Sequence, residues 1–305
     1  MKKNEVTIVT AFFDVGRNNF KGKSRSNSKY IEFFKFWARI RNKLIVYTDS
    51  IMAEEVKKIR SEFGLIDKTK IVIVDDVNKI EPELLKRLEL ITQTDDFINY
   101  RYMDNSADNN PKYNYIMMLK VWCIKDAVEK GLASGLVAWM DFGFNHGGKV
   151  YTNPLEFDYL WEAPVSTDKI TLYSIRDDDN KPLFRIIESY DVYMMGAPFI
   201  VPDKLALQFW ELIKDSMNSL LDCGFMDDDQ TLLLMASRKC PKIFNVIKSD
   251  WFMPLKECGG SHLTMKELEG KMSLKDKILY KYRVNKRNIR HFKRLKKIFY
   301  KDYLD

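Results

Sequence analysis

The stretch VAWMDFGFNHGG, residues 137–148, is the part of the sequence that decides the fold. Four apolar residues come first, Asp141 follows them, and the rest is rich in glycine and polar residues. This order predicts a buried β-strand that ends in a turn. An aspartate at such a point can hold Mg²⁺ or Mn²⁺ against a diphosphate, because hard cations prefer oxygen ligands. It can equally be an ordinary turn or N-cap residue.

Three earlier apolar runs end in the same way, at residues 6–14, 42–50 and 70–77. Helical patterns lie between them, and the strongest, at residues 113–131, leads directly into the strand before Asp141. Alternating strands and helices predict a mostly parallel, doubly wound sheet with helices on its faces. Ligands bind at the carboxyl ends of the strands in such sheets, which is where Asp141 is expected to lie.

Composition and charge narrow the class of protein. The 305 residues are 46% apolar, which is enough for a substantial core. No apolar run approaches the roughly 18 residues of a membrane-spanning helix. The net charge of +7 is unevenly placed, since residues 271–305 carry +10 and the rest of the chain −3. The sequence therefore predicts a mildly acidic body with a basic tail.

Four cysteines without a C-x-x-C pair indicate reduced thiols in a cytosolic protein.

A second acidic stretch, GFMDDDQTLLL at residues 224–234, places three consecutive aspartates before an apolar helical pattern. Adjacent carboxylates repel each other, and a carboxylate in that setting suits the work of a general base. An aspartate at a helix N-terminus is also an ordinary cap, which explains one of the three acids. Asp228 and Asp229 are thus candidates for a catalytic base, with a helix cap as the alternative.

Two basic side chains lie near the expected ligand edge, and two histidines are further candidates. Arg17 follows the first apolar run, and Lys120 lies inside an apolar helical pattern. Lysine is seldom buried without a partner, so Lys120 either meets a phosphate or carboxylate or extends its ammonium to solvent. His146 and His262 lie in glycine-containing segments, where each is either a ligand or a surface histidine.

Three stretches together resemble a known family: VTAFFDVGR at 9–17, NYIMMLKVW at 114–122 and WMDFGFNHGG at 139–148. They are similar to the HtrL/YibB family of bacterial envelope-polysaccharide proteins, which look like glycosyltransferases of the GT-A fold. The resemblance covers residues 5–265. It implies a GT-A-like α/β domain over residues 1–265, followed by a basic helical tail over residues 266–305.

The resemblance also implies roles for individual residues. In GT-A enzymes the first strand and its loop hold the nucleotide, an Asp-x-Asp-like motif after the fourth strand binds a divalent metal, and a later acid faces the acceptor. Carried over to this chain, these roles fall on Thr10, Phe12 and Arg17 for the nucleotide, Asp141 for the metal, Asp229 or Asp228 for the acceptor, and His262 as a further metal ligand. Lys120, with Arg17, would offset charge on the diphosphate. Gly143 stands where the motif has its second acid, so the metal would be held through Asp141 and the phosphates of the donor.

The implied reaction is transfer of a sugar, expected from a uridine diphosphate sugar with Mn²⁺ or Mg²⁺, to a hydroxyl of a cell-envelope polysaccharide or lipid-linked glycan. One alternative is a catalytically inactive GT-A-like scaffold. Another is a nucleic-acid-binding protein that uses the basic tail. The acidic body shows no nucleic-acid-binding motif, so no nucleic acid partner is expected.

The tail repeats apolar residues at helical spacing among lysines and arginines. A basic amphipathic helix of this kind can lie on an anionic membrane surface. The alternative is a helix that packs its apolar stripe on the body and leaves its basic face in solvent. The first interpretation predicts a cytoplasmic protein attached peripherally to the inner face of the cytoplasmic membrane.

Overall fold

The computed structural model describes residues 4–16, 25–94, 97, 109–266, 282, 285, 289, 292 and 293. Arg17, most of the segment 94–112 and most of the basic tail lie outside the described residues.

Within the described residues, eight strands form one sheet. They are β1 (Asn4–Phe12), β2 (Leu44–Thr48), β3 (Thr69–Ile73), β4 (Leu136–Trp139), β5 (Glu162–Ala163), β6 (Ile170–Ser174), β7 (Phe199–Pro202) and β8 (Phe244–Lys248). The order is β3-β2-β1-β4-β7-β6-β8, and β5 pairs with the start of β1. Six strands of this path run in one direction, because β7 alone pairs antiparallel with its neighbours β4 and β6.

Eight α-helices lie in the described residues. They are α1 (Asn27–Trp37), α2 (Ser50–Glu62), α3 (Pro82–Ile91), α4 (Pro111–Glu129), α5 (Leu183–Ser189), α6 (Ala206–Asp222), α7 (Asp229–Lys239) and α8 (Met253–Glu257). None of the helices in the described parts of the chain is both long and apolar enough to cross a membrane.

Helices cover both faces of the sheet. Successive side chains of a strand point to opposite faces, so Ile8 and Val9 of β1 belong to two different apolar clusters. The cluster with Val9 contains buried side chains of α3, α4, α6 and α7. The cluster with Ile8 contains those of α1 and α2. The predicted α/β fold, a mostly parallel sheet flanked by helices, is therefore confirmed.

The pairing of β1 with β4 places the candidate residues next to each other. The two strands are parallel, with Ile8 opposite Ala138 and Val9 opposite Trp139. Residues that follow β1 and residues that follow β4 consequently leave the sheet at one edge, side by side. Asp141 comes two residues after β4, so it lies beside the loop that follows β1.

Candidate functional site

A cavity of about 230 Å³ opens at the carboxyl ends of β1 and β4. Side chains from α1 and α4 close its sides. Its aromatic lining comes from Phe12, Phe13, Tyr30, Tyr113, Trp139 and Phe142, and its charged lining from Asp14, Arg25, Lys120 and Asp141. Aromatic walls with a few converging polar groups are typical of small-molecule sites.

Asp141 is held at the floor of this cavity by two donors. Trp139 donates its Nε1 hydrogen to Oδ1 of Asp141 at 2.8 Å, and Nζ of Lys120 lies 2.9 Å from the same oxygen. The side chain is 43% exposed. Oδ2 has no hydrogen-bond or ion-pair partner among the described residues. One oxygen of Asp141 is thus held by the protein, and the other has no partner among the described residues.

Lys120 is buried between two carboxylates. Its Nζ lies 2.6 Å from Oδ2 of Asp229, the first residue of α7, and 3.2 Å from the carbonyl oxygen of Gly196. Lys120 is 5% exposed and Asp229 7%. Of the two interpretations of Lys120, the carboxylate partner is the one that the structure shows.

The electrostatics of this group keep Lys120 charged. Burial alone would lower the pKa of the Lys120 ammonium, but the carboxylates of Asp141 and Asp229 together raise that pKa above its ordinary value. Burial raises the pKa of the Asp229 carboxyl, Lys120 opposes that rise, and the charge of Asp141 adds to it.

Gly143 lies directly under the ring of Tyr30. A Cβ atom at this position would come within 3.0 Å of Tyr30 Cε1 and 3.5 Å of Phe33 Cδ2. A side chain at position 143 would therefore require the Tyr30 ring to shift by a few tenths of an ångström. The packing of α1 on this loop thus leaves little room beside Asp141 for a second acid.

The turn after Gly143 is held in an unusual backbone conformation. Asn145 and His146 both have left-handed angles, with φ of 59° and 47°. The buried Asn145 side chain fixes the turn by accepting from the backbone N–H groups of Val150 and Tyr151 and donating to the Tyr151 carbonyl. His146 lines the cavity, with its ring centroid 5.6 Å from that of Phe33. Strained residues of this kind cluster at functional sites.

The predicted nucleotide-side residues reach the cavity only in part. Phe12 lines it and packs its ring 5.1 Å from the ring of Tyr30. Thr10 is fully buried inside β1 and is not among the lining residues, because the cavity begins one residue further along, at Ala11. Arg17 lies outside the described residues.

Neither acid predicted for the acceptor side lines the cavity. Asp228 is the N-cap of α7, and its side chain accepts from the backbone N–H of Gln230 at 3.1 Å. Asp229 lies behind Lys120, as described above. The helix-cap interpretation therefore accounts for one oxygen of Asp228, and the role of general base stays a prediction at both positions.

The structure does not bring His262 to Asp141. Nε2 of His262 lies 2.9 Å from the carbonyl oxygen of Glu156, and its ring packs against Tyr159 with centroids 4.5 Å apart. His262 is absent from the cavity lining. The predicted metal pair of Asp141 and His262 is not assembled, since each residue is held by different neighbours.

The donor set at the cavity was compared with what a divalent cation requires. In the described ranges, no group of three or more His, Cys, Asp or Glu side chains is arranged to hold a metal ion. Asp141 offers Oδ2, whereas Mg²⁺ and Ca²⁺ take six or more ligands. The residues fit a cation that arrives with a diphosphate, whose oxygens supply further ligands, and they do not fit a resident ion.

Several lining residues, among them Asp14, Arg25 and Tyr30, are not predicted from the sequence. Asp14 ends the first apolar run, and its carboxylate accepts from Gly16 N–H at 2.8 Å and from Asn27 Nδ2 at 3.0 Å. Aspartates at other strand exits show the same local pattern, so that pattern alone does not single out Asp14. Tyr30 reads as part of the apolar stripe of α1, and nothing in that pattern distinguishes a cavity wall from the core.

A second depression, of about 510 Å³, lies at the carboxyl ends of β6 and β8. Its cationic side chains are paired with acids: Arg238 forms a forked ion pair with Asp178, and Lys248 lies 2.5 Å from Asp177. Because these cations are already paired with acids, the depression offers little net positive charge to an anionic ligand.

Comparison with known proteins gives a family and more distant structural likenesses. A family model described as "Bacterial protein of unknown function (HtrL_YibB)" matches residues 4–257. Protein HtrL of Escherichia coli (strain K12) is 29% identical over 268 residues, which cover 82% of this chain and 91% of that protein.

Two solved structures are similar at low sequence identity. Mouse xyloside xylosyltransferase 1, in its apo form, has a TM-score of 0.42 and 12% identity over 79% of this chain and 84% of that chain. The 4-diphosphocytidyl-2C-methyl-D-erythritol synthase of Anaerococcus prevotii has a TM-score of 0.34 and 11% identity over 81% and 90%.

Proposed function

We propose that this chain, which belongs to the HtrL_YibB family of bacterial proteins, transfers a sugar from a nucleotide diphosphate donor to a hydroxyl group. One observation carries the proposal: a single cavity at the carboxyl edge joins the aromatic end of β1 to a half-free carboxylate after β4. Ligands of doubly wound sheets bind at this edge. The family resemblance of the three motifs points to the same chemistry.

The proposed donor lies with its base toward the aromatic side of the cavity and its diphosphate toward Asp141. Phe12 and Tyr30 supply flat apolar surface for the base. The bond to the sugar breaks through an oxocarbenium-like state, and negative charge develops on the leaving diphosphate. Arg25 lines the same cavity and provides a positive charge near that group.

Asp141 is the residue that would share a divalent cation with the donor. When bound, such a cation offsets the charge on the leaving diphosphate. The Asp141 side chain lines the cavity and is 43% exposed, while its Oδ1 is held by Trp139 and Lys120. The protein contributes one fixed oxygen and the donor contributes the others, so donor and cation enter together.

A thermal-shift screen of nucleotide diphosphate sugars with and without Mn²⁺ tests this function. We expect one donor with Mn²⁺ to raise the melting temperature by several degrees, since binding at about a hundred times Kd adds about 2.7 kcal/mol of stability. Mn²⁺ alone should leave the melting temperature unchanged, because Asp141 by itself is too poor a ligand set.

The free sugar and the nucleoside without phosphates are the matched control ligands, and neither should stabilise the protein. If no donor raised the melting temperature under either condition, the proposed function would be lost. The inactive-scaffold alternative is favoured if the donor binds but no nucleoside diphosphate is released from it.

We also propose that the basic tail attaches the protein to an anionic membrane surface, where lipid-linked acceptors lie. Residues 271–305 carry a net charge of +10, which complements an anionic leaflet. The apolar tail residues that the structure describes, Tyr282, Ile289 and Phe292, are 60%, 57% and 69% exposed. Their exposure supports the membrane interpretation over a stripe packed on the body.

Co-sedimentation with lipid vesicles tests the tail. Changing the four basic residues between 293 and 297 to glutamine should weaken binding to anionic vesicles by up to about 10³-fold, because each charge near the surface is worth about 1 kcal/mol. Four exposed lysines of the body changed in the same way serve as the control. Equal binding of the tail variant and the unaltered protein would contradict the proposal.

A further inference from the structure

Asp229 and the cavity are connected through one side chain. The Asp229 carboxylate is buried, and its Oδ2 lies 2.6 Å from Nζ of Lys120. Lys120 extends from α4 to Asp141 on the other side, at 2.9 Å. Three separate elements, α7, α4 and the end of β4, are thereby joined in a chain of charged contacts that ends at the cavity.

Nζ of Lys120 already has three acceptors close to it, two in hydrogen bonds and one in an ion pair. An ammonium group has three N–H donors. The three acceptors around Nζ are Asp141 Oδ1, Asp229 Oδ2 and the Gly196 carbonyl oxygen, at 2.9, 2.6 and 3.2 Å. Lys120 would have to give up one of these partners to contact a phosphate, which argues against the phosphate role expected from the sequence.

The charges of the group do not cancel. Two carboxylates share one ammonium, and of the two carboxylates only that of Asp141 is substantially exposed. The unshared negative charge is therefore presented to the cavity at Asp141. A bare diphosphate is repelled there, whereas a diphosphate that carries a divalent cation is attracted.

We propose that Asp229 is a positioning residue, which holds Lys120 so that Lys120 fixes the Asp141 carboxylate for the cation of an incoming donor. This inference rests on the proposed function and changes the role of Asp229 within it. Partners that orient a metal-binding carboxylate without contacting the metal typically contribute 10–100-fold to metal affinity or activity. A general base at the acceptor would have no such effect on donor binding.

Gly196 shows how closely this arrangement is packed. A Cβ atom at Gly196 would lie 2.3 Å from Oδ2 of Asp229 and 3.0 Å from its Cγ. A side chain there would push the carboxylate away from Lys120. Gly196→Ala thus disturbs the contact between Asp229 and Lys120, as Asp229→Asn does, but it leaves the charge of Asp229 in place.

Calorimetric titration with the donor found by the thermal-shift screen and Mn²⁺, in the absence of any acceptor, tests the proposal. Asp229→Asn should raise the Kd of the donor–Mn²⁺ complex by about 10–100-fold. Gly196→Ala should raise that Kd in the same direction, and the melting temperature of each variant without ligand reports whether it is folded. Asp222→Asn, which changes an exposed carboxylate paired with Arg87 at the end of α6, is the matched control and should leave the Kd unaltered.

The outcomes separate this inference from the proposed function. Donor binding that is equally tight in the unaltered protein and in folded Asp229→Asn overturns the positioning role and leaves the glycosyltransferase proposal standing. A donor that binds equally well with and without Mn²⁺ also overturns the positioning role and leaves the glycosyltransferase proposal standing, because the cavity would then not require a cation. Failure of the unaltered protein to bind any donor removes the proposed function itself.

Discussion

Lys120→Met should lower the free energy of unfolding by about 3–5 kcal/mol, the usual cost of removing one partner from a buried ion pair. The change leaves the buried Asp229 carboxylate without its cation, with the charge of Asp141 nearby. It also leaves the Gly196 carbonyl oxygen without this donor. Urea denaturation, followed by circular dichroism, measures the loss.

Lys125→Met on the same helix is the matched control. Lys125 pairs with Glu129 one turn further along at 2.7 Å, and the pair is more exposed. Its loss should cost about 0.3–0.5 kcal/mol. Lys120→Met combined with Asp229→Asn should cost less than the two single changes added together, because the buried charge is removed with its partner. A loss below 1 kcal/mol for Lys120→Met would show that the ammonium is not held as described.

Asp141→Asn should reduce the rate of donor consumption by about 10²–10³-fold, the range seen when one group that stabilises transition-state charge is removed. Asparagine keeps an oxygen for the Trp139 hydrogen bond but removes the charge that would hold a cation on the diphosphate. Release of nucleoside diphosphate from the donor, measured with saturating Mn²⁺, gives the rate.

The control for this change is Asp168→Asn, at an exposed carboxylate paired with Lys204 away from the cavity lining. Its rate should equal that of the unaltered protein. Donor consumption that is undiminished in Asp141→Asn would rule out any role of this carboxylate in the reaction.

The alternation of apolar runs and helical patterns was sufficient to predict the α/β fold. The spacing of apolar residues that marks a strand or a helix is a local property of the chain. Each of the four apolar runs therefore forms a strand close to its predicted place. The same local pattern could not distinguish an acid that lines the cavity from an acid that accepts hydrogen bonds from backbone N–H groups. Asp49 follows β2 as Asp141 follows β4, yet its carboxylate accepts from Met52 N–H and caps α2. Asp75, after β3, accepts from Ser50 N–H.

Tertiary contacts account for the rest of the candidate site. Lys120 and Asp229 are 109 residues apart, so no local pattern indicates that they meet. Each was recognised as unusual, the lysine for its apolar surroundings and the aspartate for its acidic neighbours. Their pairing is the observation from which the positioning role of Asp229 is proposed. The close approach of Gly143 to the Tyr30 ring is likewise visible only in the fold.

The central claim is that the cavity at the ends of β1 and β4 receives the donor. A crystal structure with the most stabilising nucleotide diphosphate sugar and Mn²⁺ tests it most directly. The account predicts the diphosphate and its cation at Asp141 Oδ2, with the base on the side of Phe12 and Tyr30. A donor bound instead in the depression beside Arg238 and Lys248, with the first cavity empty, would contradict it.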